Sequence, residues 1–278
     1  MDTFVVQINA GSDKSANLEQ ATSLVDEGLK GTSPDIIALP ENWMYLGGDL
    51  AGFKANAETL PPQGSGETGG QGYEWLRSLA HRHRSYVHGG SLIERDGDRL
   101  FNTSLVFDRE GHEVARYRKI HLFDVVTPGG VRYAESEIVG HGEKVVTFKL
   151  DDAVAGCAIC YDVRFPELFR ALRDAGSEVI FLPAAFTLQT GKDHWDPLLR
   201  ARAIETQCWL VAAATWGDHR DAQGGIRKTF GNSLVCDPWG QVVARASDGT
   251  GSVRARIDRS LTARVRQDLP VASHHRLV

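Results

Sequence analysis

The stretch Val154-Ala155-Gly156-Cys157-Ala158-Ile159-Cys160-Tyr161-Asp162-Val163-Arg164-Phe165-Pro166-Glu167 decides how this chain is read. It opens as an apolar run without polar alternation, the pattern of a strand buried on both faces. The run ends at Cys160 and passes through a short polar turn. Pro166 restarts the chain as a helix, because proline's missing N–H costs nothing in a first helical turn. Leu168, Ala171, Leu172 and Ala175 follow at i, i+3, i+4 and i+7, and Gly176 ends the pattern. Cys160 is therefore expected at the top of a central strand, just before a helix N-terminus. Amide N–H groups and the helix dipole stabilise a thiolate or an oxyanion at such a place. The competing reading is a buried structural cysteine.

Outward from this stretch the chain alternates strands and helices. Residues 3–10 read as a strand, and Ser15 as the cap of a helix carrying Leu18, Ala21, Val25 and Leu29. Asp35 to Pro40 reads as a buried strand with Glu41 directly after it. Residues 46–72, 123–143, 184–194 and 217–228 read as loops, the first long enough to be a substrate-side segment. A helix carries Tyr73, Leu76, Leu79 and Ala80, and a second is expected over about 195–207. Strands are expected over 86–93, 145–148, 178–183, 209–215 and 252–257, and hairpins over 102–117 and 231–244. The segment 259–278 reads as a polar, Arg-rich tail crossing the surface or a neighbouring subunit.

The two halves echo each other. Asp35-Ile-Ile-Ala-Leu-Pro40 resembles Glu178-Val-Ile-Phe-Leu-Pro183. Asn102-Thr-Ser-Leu-Val-Phe-Asp108, with Gly111 and Val114-Ala-Arg116, resembles Asn232-Ser-Leu-Val-Cys-Asp237, with Gly240 and Val243-Ala-Arg245. The spacing between copies is too long for a solenoid. Two similar αβ halves packed sheet to sheet with helices outside bury both sheets. The expected fold is α/β: a four-layer α-β-β-α sandwich with an internal pseudo-two-fold repeat, forming one domain over 1–278.

Composition narrows the function. The 278 residues carry a net charge of −5, with 42% hydrophobic and 24% charged residues, as in an ordinary globular protein. No basic cluster interleaves with aromatics, which argues against nucleic acid as a partner. No apolar run reaches the roughly 20 residues of a membrane helix. Met1-Asp2-Thr3-Phe4 runs directly into a strand without a signal-peptide pattern, so a cytoplasmic location is expected. The irregularly spaced Cys157, Cys160, Cys208 and Cys236 do not make a disulfide framework.

Glu41, Lys119 and Cys160 each follow the end of an expected strand, and neighbouring strand ends would bring them to one rim. A thiol needs a base, and a glutamate can serve. A lysine beside it favours the thiolate and can hydrogen-bond a tetrahedral oxyanion, with the Tyr161 N–H as a second donor. Singly, Glu41 also fits a turn cap, and Lys119 a solvated edge-strand lysine.

Leu39-Pro40-Glu41, Tyr117-Arg118-Lys119-Ile120-His121-Leu122 and Cys157-x-x-Cys160-Tyr161-Asp162-x-Arg164-Phe165-Pro166-Glu167 resemble, in order, the three signature blocks of the nitrilase, or carbon–nitrogen hydrolase, superfamily. The resemblance covers nearly the whole chain. His194-Trp195, the run Leu199 to Cys208, and Asp237-Pro238-Trp239-Gly240 look most like the Nit-type amidases of the deaminated glutathione amidase and omega-amidase branch. It implies an αββα sandwich, usually a homodimer, with a Glu–Lys–Cys triad at Glu41, Lys119 and Cys160 and no metal or organic cofactor. Glu135 matches the position of the family's second glutamate, which helps orient substrate or water. The family's C-terminus continues past a Leu-Pro-Val and a basic cluster. Here Leu269-Pro270-Val271 and His274-His275-Arg276 lead directly to Leu277-Val278.

The implied reaction converts a small linear amide carrying a carboxylate, such as deaminated glutathione or the omega-amide of a 2-oxo dicarboxylate, to acid and ammonia through a thioester. Arg164 fits a grip on the substrate carboxylate, or equally a structural ion pair. Thr187 and Thr190 fit substrate contacts or a bare turn. Among rivals, an N-carbamoyl amine substrate is nearest, since those enzymes also carry an Arg-x-Pro-Glu block. Nitrilases typically have Trp-Glu where this chain has Tyr161-Asp162. A redox use of Cys157 and Cys160 is disfavoured, because residues i and i+3 of a strand face opposite ways. A cysteine–histidine hydrolase with His121 as base lacks a further Asn or Asp partner, and zinc binding lacks a second Cys/His pair. The non-enzyme alternative is a catalytically silent binding protein on the same scaffold.

Overall fold

Strand residues with alternating partners on both faces generate the layers. In the computed structural model, which describes residues 1–127 and 130–276, Phe4 and Val6 pack with helix residues Leu18, Val25, Leu76 and Leu79, whereas Val5 packs with the opposite cluster. The first half runs β1 (Asp2–Gln7), α1 (Lys14–Leu29), β2 (Ile36–Ala38), α2 (Leu50–Ala55), β3 (Glu58–Thr59), α3 (Gln71–His83), β4 (Tyr86–His88), β5 (Leu92–Asp96), β6 (Arg99–Phe107) and β7 (Glu113–Arg118). A small hairpin, β8 (Asp124–Val126) and β9 (Arg132–Ala134), leads to β10 (Thr147–Leu150), β11 (Ala153–Cys157), α4 (Pro166–Asp174), β12 (Val179–Phe181), α5 (Leu188–Thr206) and β13 (Trp209–Ala212). A second hairpin follows, β14 (Trp216–Arg220) and β15 (Ile226–Phe230). The chain ends with β16 (Leu234–Cys236), β17 (Val242–Arg245), β18 (Gly251–Arg256), α6 (Arg259–Asp268) and α7 (Val271–His274).

One sheet has the order β18-β1-β2-β4-β6-β5-β3, with β7 also on β6; the other is β10-β11-β12-β13-β16-β17. Both share a plan. Three parallel strands (β1-β2-β4, β11-β12-β13) are flanked by an antiparallel strand on one side (β18, β10) and an antiparallel pair on the other (β6-β7, β16-β17). The sheets meet face to face, with His88 of β4 stacked on Phe181 of β12 at 5.1 Å between centroids. Helices α1 and α3 cover the outer face of one sheet, and α4 and α5 that of the other. The fold is the α-β-β-α sandwich that the echo implied.

The echo holds at the level of single hydrogen bonds. Asp108 accepts from the N–H groups of Glu110 (3.0 Å) and His112 (2.8 Å), and Asp237 from those of Trp239 (2.9 Å) and Gln241 (2.9 Å). Gly111 and Gly240 follow at φ +81° and +82°, a conformation open to glycine at no steric cost.

Several local expectations are corrected. Asp13, not Ser15, caps α1, because its backbone is extended and its carboxylate accepts from Ala16 N–H at 3.1 Å. Residues 86–93 are two strands broken at Gly89-Gly90. Segment 46–72 contains α2, capped by Asp49, and β3. The segments 123–143 and 217–228 each contain strands, β8–β9 and most of β14–β15. Their strands cover only one face, so their sequences stay polar. Helix α5 starts at Leu188 and not near 195, because Thr187 caps it. The strand expected at 145–148 lies at Thr147–Leu150. The tail is helical and docks on its own chain: Gln207 donates to the carbonyls of Val265 (3.3 Å) and Leu269 (2.6 Å), and Arg266 to that of Ser177 (2.7 Å). The terminal Leu277-Val278 lies outside the described residues. No helix among the described residues is long and apolar enough to cross a membrane.

The matching turns lead to a prediction. Asp108→Ala and Asp237→Ala each remove two hydrogen bonds from backbone N–H groups to one carboxylate oxygen, worth roughly 1 kcal/mol apiece. Both variants are expected to lower the calorimetric Tm by similar amounts, within a factor of two of each other. Loss confined to one turn would contradict the structural equivalence.

Candidate active site

Two turns at the top of the sheets position the reactive groups. Pro40 and Glu41 leave β2 beside Gly90, whose φ is +65° and where any Cβ would collide with the Pro40 carbonyl oxygen. Ser91 N–H donates to that carbonyl at 3.1 Å, and the Ser91 hydroxyl accepts from Asn42 N–H at 3.1 Å. The Glu41 turn is thus held from both sides.

Strand β11 ends at Cys157, three residues earlier than expected, and Cys160 opens a single 3₁₀ turn. Its φ is +48°, left-handed for a residue with a side chain, at a cost of about 1–3 kcal/mol. The surroundings enforce it. Cys160 N–H donates to the Pro183 carbonyl at 2.8 Å. Buried Asp162 accepts from Ile159 N–H (2.8 Å), Tyr117 O–H (2.7 Å) and His121 N–H (3.0 Å), and lies 2.7 Å from His121 Nδ1. Asp162 was quoted in the opening stretch without a role; it is the anchor of the turn.

Glu41, Lys119, Cys160 and Glu135 come together. Lys119, 2% exposed, donates from Nζ to Glu41 Oε1 at 3.1 Å and to both Glu135 oxygens at 2.8 and 3.1 Å. Glu41 Oε2 accepts from Ala185 N–H at 2.8 Å, and Glu135 Oε2 from Phe123 N–H at 2.7 Å. A fifth residue, Asn102, donates from Nδ2 to Glu41 (2.9 Å) and Glu135 (3.2 Å), while its backbone carbonyl accepts the Lys119 backbone N–H at 2.8 Å. Sequence reasoning missed it. Its one signal was its position at the head of the first echo, matched by Asn232 in the second.

These contacts set the protons. Burial alone pushes the Glu41 carboxyl up, but the Lys119 charge and hydrogen bonds from Cys160, Lys119 and Asn102 bring it below its usual 4.5. Burial opposes the Lys119 charge, yet Glu135, Glu41 and Cys160 hold its pKa well above 10.5. Burial and then the Glu41 charge push the Cys160 thiol well above 9.0; Lys119 pulls the other way and is outweighed. Near neutral pH the site therefore holds a thiol, a carboxylate and an ammonium. Lys119 does favour the thiolate, as expected, but burial and the Glu41 charge outweigh it.

The remaining sequence candidates fall around this centre. Tyr161 follows Cys160 in the turn. Arg164 lies over the rings of Tyr161 (5.8 Å) and Phe186 (5.4 Å), touches His194 Nδ1 at 3.2 Å, and has no carboxylate within 4.0 Å among the described residues. Thr187 caps α5, and its hydroxyl is 2.8 Å from that of Thr190. His121 stacks on Phe165 at 3.7 Å and serves Asp162, so it belongs to the turn's support. Cys157 is fully buried between the sheets, its thiol pushed up to about 12 by burial. The carboxylate and imidazole ligand atoms of Asp108, Glu110 and His112 cluster on an exposed hairpin turn, away from this centre.

The Carbon-nitrogen hydrolase family model matches residues 5–267. The chain belongs to the carbon-nitrogen hydrolase family. This carbon-nitrogen hydrolase is 35% identical over 274 residues to the deaminated glutathione amidase of Synechocystis, covering 97% of this chain and 96% of that one. It is 34% identical to the mouse omega-amidase NIT2, covering 99% and 96%. Saccharomyces cerevisiae Nit3, a member of branch 10 of the nitrilase superfamily, superposes with a TM-score of 0.85 at 29% identity, covering 98% and 94%. The protein is a hydrolase of carbon–nitrogen bonds in linear amides.

Cys160 is 7% exposed, whereas Cys157, Cys208 and Cys236 are at 0%. Iodoacetamide at pH 8 is expected to modify Cys160 first in a time course of peptide mapping by mass spectrometry. Equal labelling of all four cysteines would contradict a site open to small molecules at Cys160.

Proposed function

We propose that the chain is a cysteine amidase for small linear amides carrying a carboxylate, of the class of deaminated glutathione and the omega-amides of 2-oxo dicarboxylates. Glu41 takes the proton from Cys160 as Sγ attacks the amide carbonyl carbon. The oxyanion is held by Lys119 Nζ and the Tyr161 N–H, since the Cys160 N–H is committed to Pro183. Glu41 returns the proton to the nitrogen as the C–N bond breaks. A primary amide releases ammonia and a substituted amide an amine, leaving a thioester on Cys160. Glu41 then deprotonates a water positioned with Glu135; water oxygen replaces sulfur, and the proton returns to the thiol.

The observation that carries this reading is the buried Glu41 carboxylate, kept charged by Lys119 and Asn102 and aimed at a neutral thiol. Arg164 would grip the substrate carboxylate, its guanidinium lacking an acidic partner within 4.0 Å among the described residues. Thr187 and Thr190 would form the wall beside it. We read residues 1–278 as one domain acting in the cytoplasm as a homodimer. The amidase-named relatives favour amides over N-carbamoyl amines and nitriles.

The test is turnover of deaminated glutathione, 2-oxoglutaramate, N-carbamoyl amino acids and simple nitriles, read as 2-oxoglutarate, ammonia or amine. The first two are expected to be hydrolysed. Cys160→Ala should abolish turnover, and Glu41→Gln should lower kcat by about 10²–10⁴-fold. Silence across the panel would favour the binding-protein alternative, and activity surviving Cys160→Ala would exclude the mechanism.

The protonation states fix the sign of the pH dependence. Activity requires Glu41 charged and Cys160 protonated. kcat/KM should rise as pH passes upward through a value below 4.5, stay level through neutrality, and fall only above 9.0. An acid limb centred near pH 7 would point to a different base.

A further inference from the structure

The reactive centre is encircled by an arc of rings with a guanidinium at each end. Arg164 lies over Tyr161, the residue after the nucleophile. Tyr161 meets Phe123 edge-on at 5.1 Å, and Phe123 meets Tyr133 at 5.3 Å. Arg227, from β15, lies over Tyr133 at 5.1 Å. The arc closes on the far side, because Arg227 donates to the Ala185 carbonyl at 3.4 Å and Arg164 lies over the next side chain, Phe186. Each segment of the circle also touches the centre. Tyr161 follows Cys160, Phe123 N–H donates to Glu135, and Ala185 N–H donates to Glu41. Arg164, Tyr161, Phe123, Tyr133 and Arg227 are all half-buried, as befits the rim of a mouth.

Arg227 is anomalous in this setting. Its Nε is buried without a hydrogen-bond partner, and no carboxylate lies within 4.0 Å of it among the described residues. A buried charged donor left unsatisfied is costly, and an anionic ligand group removes that cost. Lys228, its neighbour, is by contrast paired with Asp218 at 3.3 Å.

We propose that Arg227 is a specificity residue that receives a second anionic group of the substrate, at the opposite end of the aromatic arc from the carboxylate held by Arg164. The site is then built for an amide with a carboxylate at each end, and a primary amide with a single carboxylate satisfies only one of the two arginines. This rests on the amidase reading and on Arg164 as the first anion grip.

The experiment compares kcat/KM for deaminated glutathione, with a carboxylate on each side of the amide, and 2-oxoglutaramate, with one. In Arg227→Gln the ratio of the first to the second should fall at least tenfold, chiefly through KM, and Arg164→Gln should weaken both substrates. Arg227→Lys, which keeps charge without the bidentate fork, should lie between wild type and Arg227→Gln, and it reads the same ratio if a thermal melt shows Arg227→Gln to be unfolded. A ratio within threefold of wild type in a folded variant overturns the role of Arg227. If the wild-type protein hydrolyses neither amide, the amidase reading fails instead.

Discussion

The Lys119 ammonium, buried between the carboxylates of Glu41 and Glu135, is the constraint on which the site depends. Two acids and one base with almost no solvent would be untenable singly, and removing one partner of such a buried pair typically costs about 3–5 kcal/mol. Asn102 ties the two acids together and leaves a net negative cluster beside Cys160. That negative charge, added to burial, keeps the thiol protonated. Glu41 thus stands charged beside a neutral thiol, with Lys119 paired to the acids on its other side.

The duplicated scaffold explains how the cluster is assembled. Each sheet supplies a strand followed closely by a proline, Pro40 after β2 and Pro183 after β12, and both proline carbonyls accept a backbone N–H from a neighbouring turn. In the first half that turn carries Ser91 and steadies Glu41. In the second it carries Cys160 and holds it at positive φ. The two halves have diverged in chemistry: the first contributes Glu41, Asn102 and Lys119 to the cluster, the second Cys160. Asn232, the partner of Asn102 in the echo, instead turns the backbone at φ +57° and binds the Phe230 carbonyl. Function has broken the symmetry that the fold retains.

Legibility followed burial. Strands with both faces covered, such as β2, β11 and β12, show as unbroken apolar runs and were readable, as was the amphipathic face of α1. Hairpins β8–β9 and β14–β15 cover one face only, carry polar residues on the other, and read as loops. That misreading hid Arg227 and Tyr133, which frame the mouth. Glu41, Lys119 and Cys160 were legible because each lies just past the end of a recognisable strand. Asn102 was not, because it lies within a strand and its role depends on two glutamates that only tertiary structure brings to it. The left-handed backbone of Cys160 left no local mark either; no glycine announces it, and it is imposed by Asp162 within the turn and by Pro183 from outside it.

The central claim is that Cys160 rests as a thiol facing a charged Glu41. Thiolate absorbance near 240 nm, followed against pH as the difference between the wild-type protein and Cys160→Ser, reads this directly. The account predicts no absorbance step attributable to Cys160 below pH 9. A step at or below pH 7 would mean a preformed thiolate and would contradict it.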